Sequence, residues 1–247
     1  MARLHRQELK HDEFIDTFDE LLLYLEDNWR TLTTLALSVV LAGGGLGGFY
    51  FYSQRQEARA QAALSNALLT FQAPVRTGLP PLPGDTSRSF PNEKEKWDAA
   101  IKEFAAVRSD YPRTDAAQMA KHYEALSRYE AGQTDEAIKE LEELSRGADR
   151  NVAALAKFHL AGMYEAKGRS ADGEKLYREL AEQPTQTVPR ELSQLALADL
   201  LAQSKPDEAR QLYEKLKADF SGTPVADEVS RRLDLLPPAA APVPATP

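Results

Sequence analysis

An uncharged stretch dominates the N-terminal part of the sequence. It runs from Thr31 to Gln54, reads TLTTLALSVVLAGGGLGGFYFYSQ and lies between Arg30 and Arg55. As a helix, its apolar part from Thr31 to Tyr52 would extend roughly 33 Å at about 1.5 Å per residue. The hydrocarbon core of a bilayer is about 30 Å thick. The sequence therefore predicts one transmembrane helix.

A cleaved signal peptide is the alternative interpretation of this stretch. The apolar run, however, is longer than a usual signal-peptide core, begins after 30 residues, and is not followed by a small-residue cleavage pattern. Trp29 at one edge, and Tyr50 and Tyr52 at the other, are typical of the aromatic side chains that lie at membrane interfaces. We therefore predict a retained anchor in the inner (plasma) membrane.

The basic residues on either side of the span predict its orientation. Four of them precede it, namely Arg3, Arg6, Lys10 and Arg30, whereas the 20 residues after it carry only Arg55 and Arg59. Short cytoplasmic segments are enriched in Lys and Arg. The N-terminus is therefore predicted to be cytoplasmic and the C-terminal part periplasmic.

Glycines interrupt the middle of the span. Gly43 and Gly47, and likewise Gly44 and Gly48, are four residues apart, a spacing that allows a second helix to approach closely. A span that merely tolerates glycine is the alternative. The same GGGLGG run lacks the Lys-Ser/Thr that completes a phosphate-binding loop.

Composition excludes several functional classes. The net charge is −8, so the chain has no basic surface of the kind that binds nucleic acid. Cysteine is absent, which excludes disulfides, thiol nucleophiles, thiolate metal sites and the acylated cysteine of a bacterial lipoprotein.

The chain divides into six predicted segments. Before the span, Phe14, Phe18, Leu21 and Leu25 recur at helical spacing among acidic residues, which indicates an amphipathic helix. Five prolines and two glycines between residues 73 and 92 predict a loop, and a Pro- and Ala-rich end predicts a disordered tail. The segments are 1–30 (amphipathic, cytoplasmic), 31–52 (transmembrane), 53–72 (membrane-proximal helix), 73–92 (loop), 93–236 (helical repeats) and 237–247 (tail).

Four segments of the helical region align with one another. WDAAIKEFAAV, TDEAIKELEEL, SADGEKLYREL and PDEARQLYEKL share a small residue at steps of 37, 36 and 36, followed four residues later by a large residue and three further by Val or Leu. The small residues are Ala100, Ala137, Gly173 and Ala209. Twelve residues before the second and third of these lie Ala125 and Ala161, each followed by a turn glycine, Gly132 or Gly168. A helix-pair repeat is therefore predicted.

This pattern resembles the tetratricopeptide repeat (TPR) family, in which helix A carries a small residue, the turn carries glycine, and helix B carries Ala followed by a large residue. LAGMYEAKG, with Ala161, Tyr164 and Gly168, is the best match, and Tyr111-Pro112-Arg113-Thr114 is similar to the start of the periplasmic variant. The resemblance implies an all-α solenoid of antiparallel helix pairs. An unrelated helical bundle is the alternative.

The match has two departures. Repeat one has Arg128 where the aromatic belongs and Glu124 where an apolar residue is usual. In repeat three, Leu197 falls at the small position of helix A, and a turn shorter by one residue would bring Ala198 there instead. The register of that helix is thus open by one residue.

The resemblance also implies a binding groove lined by helix A. Transferred onto this chain, the family's groove positions are mainly apolar or aromatic in repeats one and two, which suits an extended apolar peptide or a partner helix better than a charged terminus. Packing of these residues on the chain's own N-terminal helix or proline loop is the alternative. The predicted groove residues are Met119, His122, Leu126, Tyr129, Leu155, Phe158, Glu165, Gln194 and Leu201.

No motif for catalysis or metal binding is apparent. The histidines His5, His11, His122 and His159 show no HExxH or two-His-plus-carboxylate spacing, and the carboxylates follow solvated helix faces. We therefore expect no catalytic residues, no metal, no cofactor and no small-molecule substrate.

The order of segments as a whole resembles the bacterial ancillary Sec-translocon subunit family. That resemblance implies a non-enzymatic adaptor whose partners are translocon subunits, periplasmic chaperones or client chains. A scaffold for another envelope or division complex is the alternative within the binding class, and an unrecognised hydrolase is the enzyme-class alternative.

Overall fold

The computed structural model describes residues 28–76 and 88–237. Within these ranges the chain is all-α, as predicted, with helices connected by short turns. The predicted amphipathic helix at 14–25, most of the proline-rich loop and almost all of the tail lie outside the described residues. The helices are α1 (Trp29–Gln72), α2 (Glu93–Asp110), α3 (Asp115–Glu130), α4 (Thr134–Leu144), α5 (Arg150–Ala166), α6 (Ser170–Glu182), α7 (Arg190–Ser204), α8 (Pro206–Asp219) and α9 (Pro224–Leu235).

The chain divides into two compact units, of which the first ends at Gln56. Its described part is the N-terminal portion of α1, from Trp29 to Gln56, which we call the inner part of α1; the rest is its outer part. Among the described helices, α1 is the one that is long and apolar enough to cross a membrane. Large side chains such as Val40, Leu46 and Phe49 are about two-thirds exposed, so the unit's own protein does not cover them. An added methyl group at any of the span glycines would meet nothing, which leaves that face open to a partner.

Hydroxyl side chains in the span bond to its own backbone. Thr33 and Ser38 each donate a hydrogen bond of 2.8 Å to the carbonyl oxygen four residues earlier, those of Trp29 and Thr34. Such bonds satisfy the hydroxyl groups without water, which is the requirement in a hydrocarbon environment.

The second unit begins at Glu57 and contains the repeats. The outer part of α1 packs on α2 through Ala60, Leu64 and Ala67, and the ring of Phe71 meets Trp97 edge to face at 5.4 Å. We call this the leading pair. Residues 53–72 are predicted to lie outside the repeat domain, because the proline-rich loop separates them from α2, but residues 57–72 supply the helix against which α2 packs.

Two contacts secure the leading pair. The loop between its helices is closed at its base, where Arg76 N donates to Phe90 O at 2.8 Å and Phe90 N to Pro74 O at 3.1 Å. The carboxylate of Glu57 accepts hydrogen bonds from the backbone N–H groups of Asp115 (2.9 Å) and Ala116 (3.2 Å), the first residues of α3. A carboxylate at a helix N-terminus satisfies unpaired N–H groups and interacts favourably with the helix dipole.

Repeats one (α3–α4), two (α5–α6) and three (α7–α8) follow, and α9 closes the array against α8. The predicted register of helix B is confirmed, because all aligned side chains are buried. They are Ala100, Phe104 and Val107; Ala137, Leu141 and Leu144; Gly173, Tyr177 and Leu180; Ala209, Tyr213 and Leu216. The predicted turn glycines Gly132 and Gly168 have φ of +82° and +75°, a conformation that favours glycine.

The closest approach of helices A and B is at Gly173. A Cβ at this position would lie 2.8 Å from the carbonyl oxygen of Ala161 and 3.2 Å from Leu200 Cδ1. The first contact is with backbone, which cannot rotate away. Repeat two therefore requires both small residues that the sequence pattern identified.

The two residues of repeat one that depart from the TPR pattern, Glu124 and Arg128, pair with each other. Glu124 is fully buried, and Arg128, one turn later, donates a 2.7 Å hydrogen bond to it from Nη2. The Arg128 guanidinium also pairs with Glu140 of α4 at 3.1 Å, while Arg108 of α2 lies 3.5 Å from the second Glu124 oxygen. In repeat two the position of Arg128 is occupied by Tyr164, whose hydroxyl donates to Glu142 at 2.6 Å.

We predict that Gly173→Ala destabilises the repeats by about 1 to 3 kcal/mol, since the added methyl forces the two helix backbones apart. Urea unfolding of the full-length protein in detergent, followed by Trp97 fluorescence, measures the change. Gly162→Ala is the matched control, because its Cβ meets only the Tyr177 hydroxyl at 3.5 Å and alanine favours a helix. Equal stability of the two variants would contradict the assigned close approach.

We also predict that Arg128→Met costs about 3 to 5 kcal/mol, because it leaves Glu124 buried without its nearest counter-charge. The double variant Glu124→Leu/Arg128→Met should recover most of this loss, since both charges leave the interior together. The same urea titration compares the two. A double variant as unstable as Arg128→Met alone would show that the pair's charges are not coupled.

Candidate functional site

The A helices of the three repeats, α3, α5 and α7, carry the predicted groove residues. Five of these residues lie on α3 and α5 and are half-buried, so that each packs against the core and keeps part of its surface accessible. We call them the helix-A stripe: Met119, Leu126, Tyr129, Leu155 and Phe158. Glu165, near the end of α5, is exposed.

Small residues beneath the stripe fix its direction. Ala125 and Ala161, at the small positions of α3 and α5, are fully buried against the B helices of their repeats. Leu126 and Gly162, the next residues, therefore lie about 100° further around each helix and are partly exposed. The register that builds the core thus also determines which side chains can meet a partner.

His122 is predicted to line the groove, but it is buried and does not. It is 1% exposed, because His159 of α5 lies against it with 5.0 Å between ring centroids. His122 thus belongs to the contact between repeats one and two. His159, which covers His122, is 37 positions later in the chain, and the sequence pattern does not specify how α5 lies on α3.

The third repeat requires a second correction. On α7, Ala198 and Leu201 are fully buried, and the neighbouring Leu197 is 3% exposed. The small position falls on Ala198 rather than Leu197 because the turn is short: only Lys205 separates α7 from α8, whereas three residues separate α5 from α6. Leu201 therefore faces the core and is not a groove residue.

The corrected register gives α7 a different set of outward positions. Gln194 moves to the position that Lys157 occupies in repeat two, away from the groove. Leu192, Leu195, Asp199 and Ala202 take the groove positions instead, and Leu192 is 38% exposed. Asp199 is engaged within the domain, accepting a 2.5 Å hydrogen bond from the Tyr213 hydroxyl and pairing with Arg232 of α9.

Aromatic rings connect the stripe to the core. The rings contact one another in sequence. The ring centroids of His122 and His159 are 5.0 Å apart, those of His159 and Phe158 are 5.7 Å apart, and those of Phe158 and Tyr177 of α6 are 5.5 Å apart. Burial, and secondarily the charge of Glu165, raises the pKa of Tyr177 to about 12. The rings are therefore uncharged near neutral pH, and the surface they support is apolar.

The described residues place no three metal-ligating side chains together. A depression of about 660 Å³ lies at the loops before α5 and α7 and is lined mainly by polar residues, including Arg150 and Arg190. The stripe itself offers contact area rather than an enclosed cavity. Such a surface binds by burying apolar side chains, as protein partners do.

Comparison with known proteins identifies the repeat. A family model described as "Tetratricopeptide repeat-like domain" matches residues 24–236. No curated protein matches the chain. A crystal structure of a kinesin light chain from Podosopora anserina with nearly identical TPR-like repeats is 17% identical, with a TM-score of 0.48, and the match covers 73% of this chain and 82% of that one. The chain belongs to the tetratricopeptide repeat-like domain family.

Proposed function

We propose that this protein is a membrane-anchored adaptor that binds a protein partner through the helix-A stripe. TPR domains generally bind proteins, and this chain belongs to that family. The observation that carries the proposal is that Leu126, Tyr129, Leu155 and Phe158 are half-buried apolar side chains on consecutive A helices, each with part of its surface accessible. Aromatic and aliphatic anchors of this kind supply most of the binding energy of protein interfaces.

The anchor is the second part of the proposal. The inner part of α1 has the length and apolarity of a membrane span, and its large side chains are not covered by its own unit. An anchor would hold the repeats near other membrane proteins and raise their effective concentration there. We propose the inner membrane, with the repeats in the periplasm, because four basic residues precede the span and only two lie in the 20 residues after it.

The partner we propose is a Sec-translocon subunit together with periplasmic chaperones or client chains. Support comes from the order of segments, an acidic N-terminal tail, one span and a periplasmic TPR array, which resembles the ancillary translocon subunit family. The stripe suits an apolar segment or helix of such a partner. A scaffold for an envelope or division complex is the second candidate, and the identity of the captured proteins separates the two.

Photocrosslinking in cells tests the site and the partner together. A photoreactive amino acid at Leu126 or Leu155 should crosslink to translocon subunits or chaperones, while the same amino acid at Lys139, exposed on helix B of repeat one, should not. Crosslinks from Lys139 alone would place the interface on the B helices. Crosslinks from the stripe to division or envelope proteins would favour the second candidate.

We predict that Leu126→Lys with Leu155→Lys weakens partner capture by tenfold or more, since a charge would have to be desolvated at the centre of the contact. Leu235→Lys on α9 is the matched control, because Leu235 is 84% exposed and off the stripe. These leucines are chosen over Phe158, which also contacts Tyr177 and His159. Unchanged capture by a variant with normal helical content would exclude the stripe.

We predict that alkaline phosphatase fused after Leu236 is active, because the larger number of Lys and Arg residues just before the span keeps the N-terminal segment in the cytoplasm and places the repeats outside it. The measurement is phosphatase activity normalised to fusion-protein level. The matched control is a cytoplasmic reporter, such as β-galactosidase, fused at the same residue, which should be inactive. The opposite pair of results would reverse the orientation.

A further inference from the structure

Two histidines meet at the contact between repeats one and two. His122 on α3 and His159 on α5 have their ring centroids 5.0 Å apart at an interplanar angle of 52°. Tyr123 lies edge-on to His122 at 5.5 Å, and Phe158 lies edge-on to His159 at 5.7 Å. His122 is buried, whereas His159 is half-buried. The two imidazoles thus form part of an aromatic contact between consecutive A helices.

Hydrogen bonding favours the neutral form of this pair. The Nδ1 atom of His122 is buried and has no hydrogen-bond partner among the described residues. A neutral imidazole can leave one nitrogen as an unpaired acceptor, but an imidazolium has two N–H donors and a charge to satisfy. Protonation of Nδ1 in place would therefore bury an unpaired N–H donor together with a charge.

Among the described residues, no carboxylate acts on the pKa of either histidine, and the carboxylates on the surrounding helices have other partners. Near α3 and α4, Glu124 pairs with Arg108 and Arg128, Glu140 with Arg128, and Glu143 with Lys121. On the other sides, Glu57 caps α3, Glu103 of α2 pairs with Arg88, and Glu179 of α6 pairs with Lys157. Burial, and then the charge of His159, lowers the pKa of His122 to about 3, and burial lowers that of His159.

We propose that His122 and His159 form an acid-sensitive latch, in which two neutral rings hold repeat one against repeat two and protonation of the pair releases α3 from α5. The half-buried His159 is the route by which a proton enters. Once His159 is protonated, its positive charge faces the His122 imidazole, and the ring contact is no longer apolar. This inference does not depend on the identity of the partner.

The direction of the pH effect follows from linkage. The folded pKa values lie below the ordinary value of 6.5, so the opened state binds protons before the closed state does. The contribution of the latch is fully present above pH 6.5 and declines as the pH falls from 6.5 toward 3. Between pH 7.5 and 5.0, one such histidine favours the opened state by roughly thirtyfold.

Hydrogen exchange of the full-length protein in detergent, corrected for the intrinsic effect of pH, tests the latch. From pH 7.5 to 5.0, the protection of α3 and α5 should fall roughly thirtyfold relative to that of α8. In His122→Gln/His159→Gln the selective loss should disappear. A loss that persists in this variant, or its absence in the wild type, overturns the proposal.

A second measurement uses the wild-type protein and so does not depend on whether a histidine variant folds. The two imidazoles are followed by NMR in the wild-type protein across the same pH range. In the latch, both remain neutral while α3 and α5 are protected, and they titrate together with the loss of that protection. If both titrate near pH 6.5 with protection unchanged, the closed contact accepts the charges and there is no latch.

Discussion

The rest of the repeat domain depends on the backbone contact between Gly173 and Ala161. A Cβ at residue 173 would come within 2.8 Å of the Ala161 carbonyl oxygen, so α5 and α6 can approach this closely because residue 173 is glycine. The contact sets the register of α5 on α6, and the register decides which side chains turn inward. Tyr177 then fills the space toward repeat three, while Leu155 and Phe158 remain at the surface. The same small residues therefore define both the core and the proposed interface.

Helix α1 carries two kinds of surface along its length. Between residues 37 and 52 its large apolar side chains are more than half exposed, and the hydroxyl groups of Thr33 and Ser38 bond to the helix backbone. Beyond Glu57, by contrast, Ala60, Leu64 and Ala67 are buried against α2. Alanine allows close packing on a neighbouring helix, whereas a run of large exposed apolar side chains is typical of a surface that meets a membrane or another protein.

Repeat one buries ionisable groups in two different ways. Glu124 is buried between two guanidinium groups, 2.7 Å from Arg128 and 3.5 Å from Arg108, and burial raises the pKa of Glu140 at the edge of the same network. His122 instead lies beside a second imidazole, and burial lowers its pKa. A buried ionisable group either pairs with a group of opposite charge or favours its neutral form. The second arrangement makes the contact to repeat two sensitive to acid.

The class of fold, the long apolar stretch of α1, the register of the B helices and the turn glycines were predictable from the sequence, because helical periodicity and small-residue spacing are local properties of the chain. Three features needed the tertiary structure. The helix that pairs with α2 is separated from it by the proline-rich loop, and the covering of His122 depends on a residue of the next repeat. The outward face of α7 depends on a one-residue turn, since a single-residue shift rotates a helix by about 100°. Each was decided by where helices distant in sequence come to lie against one another.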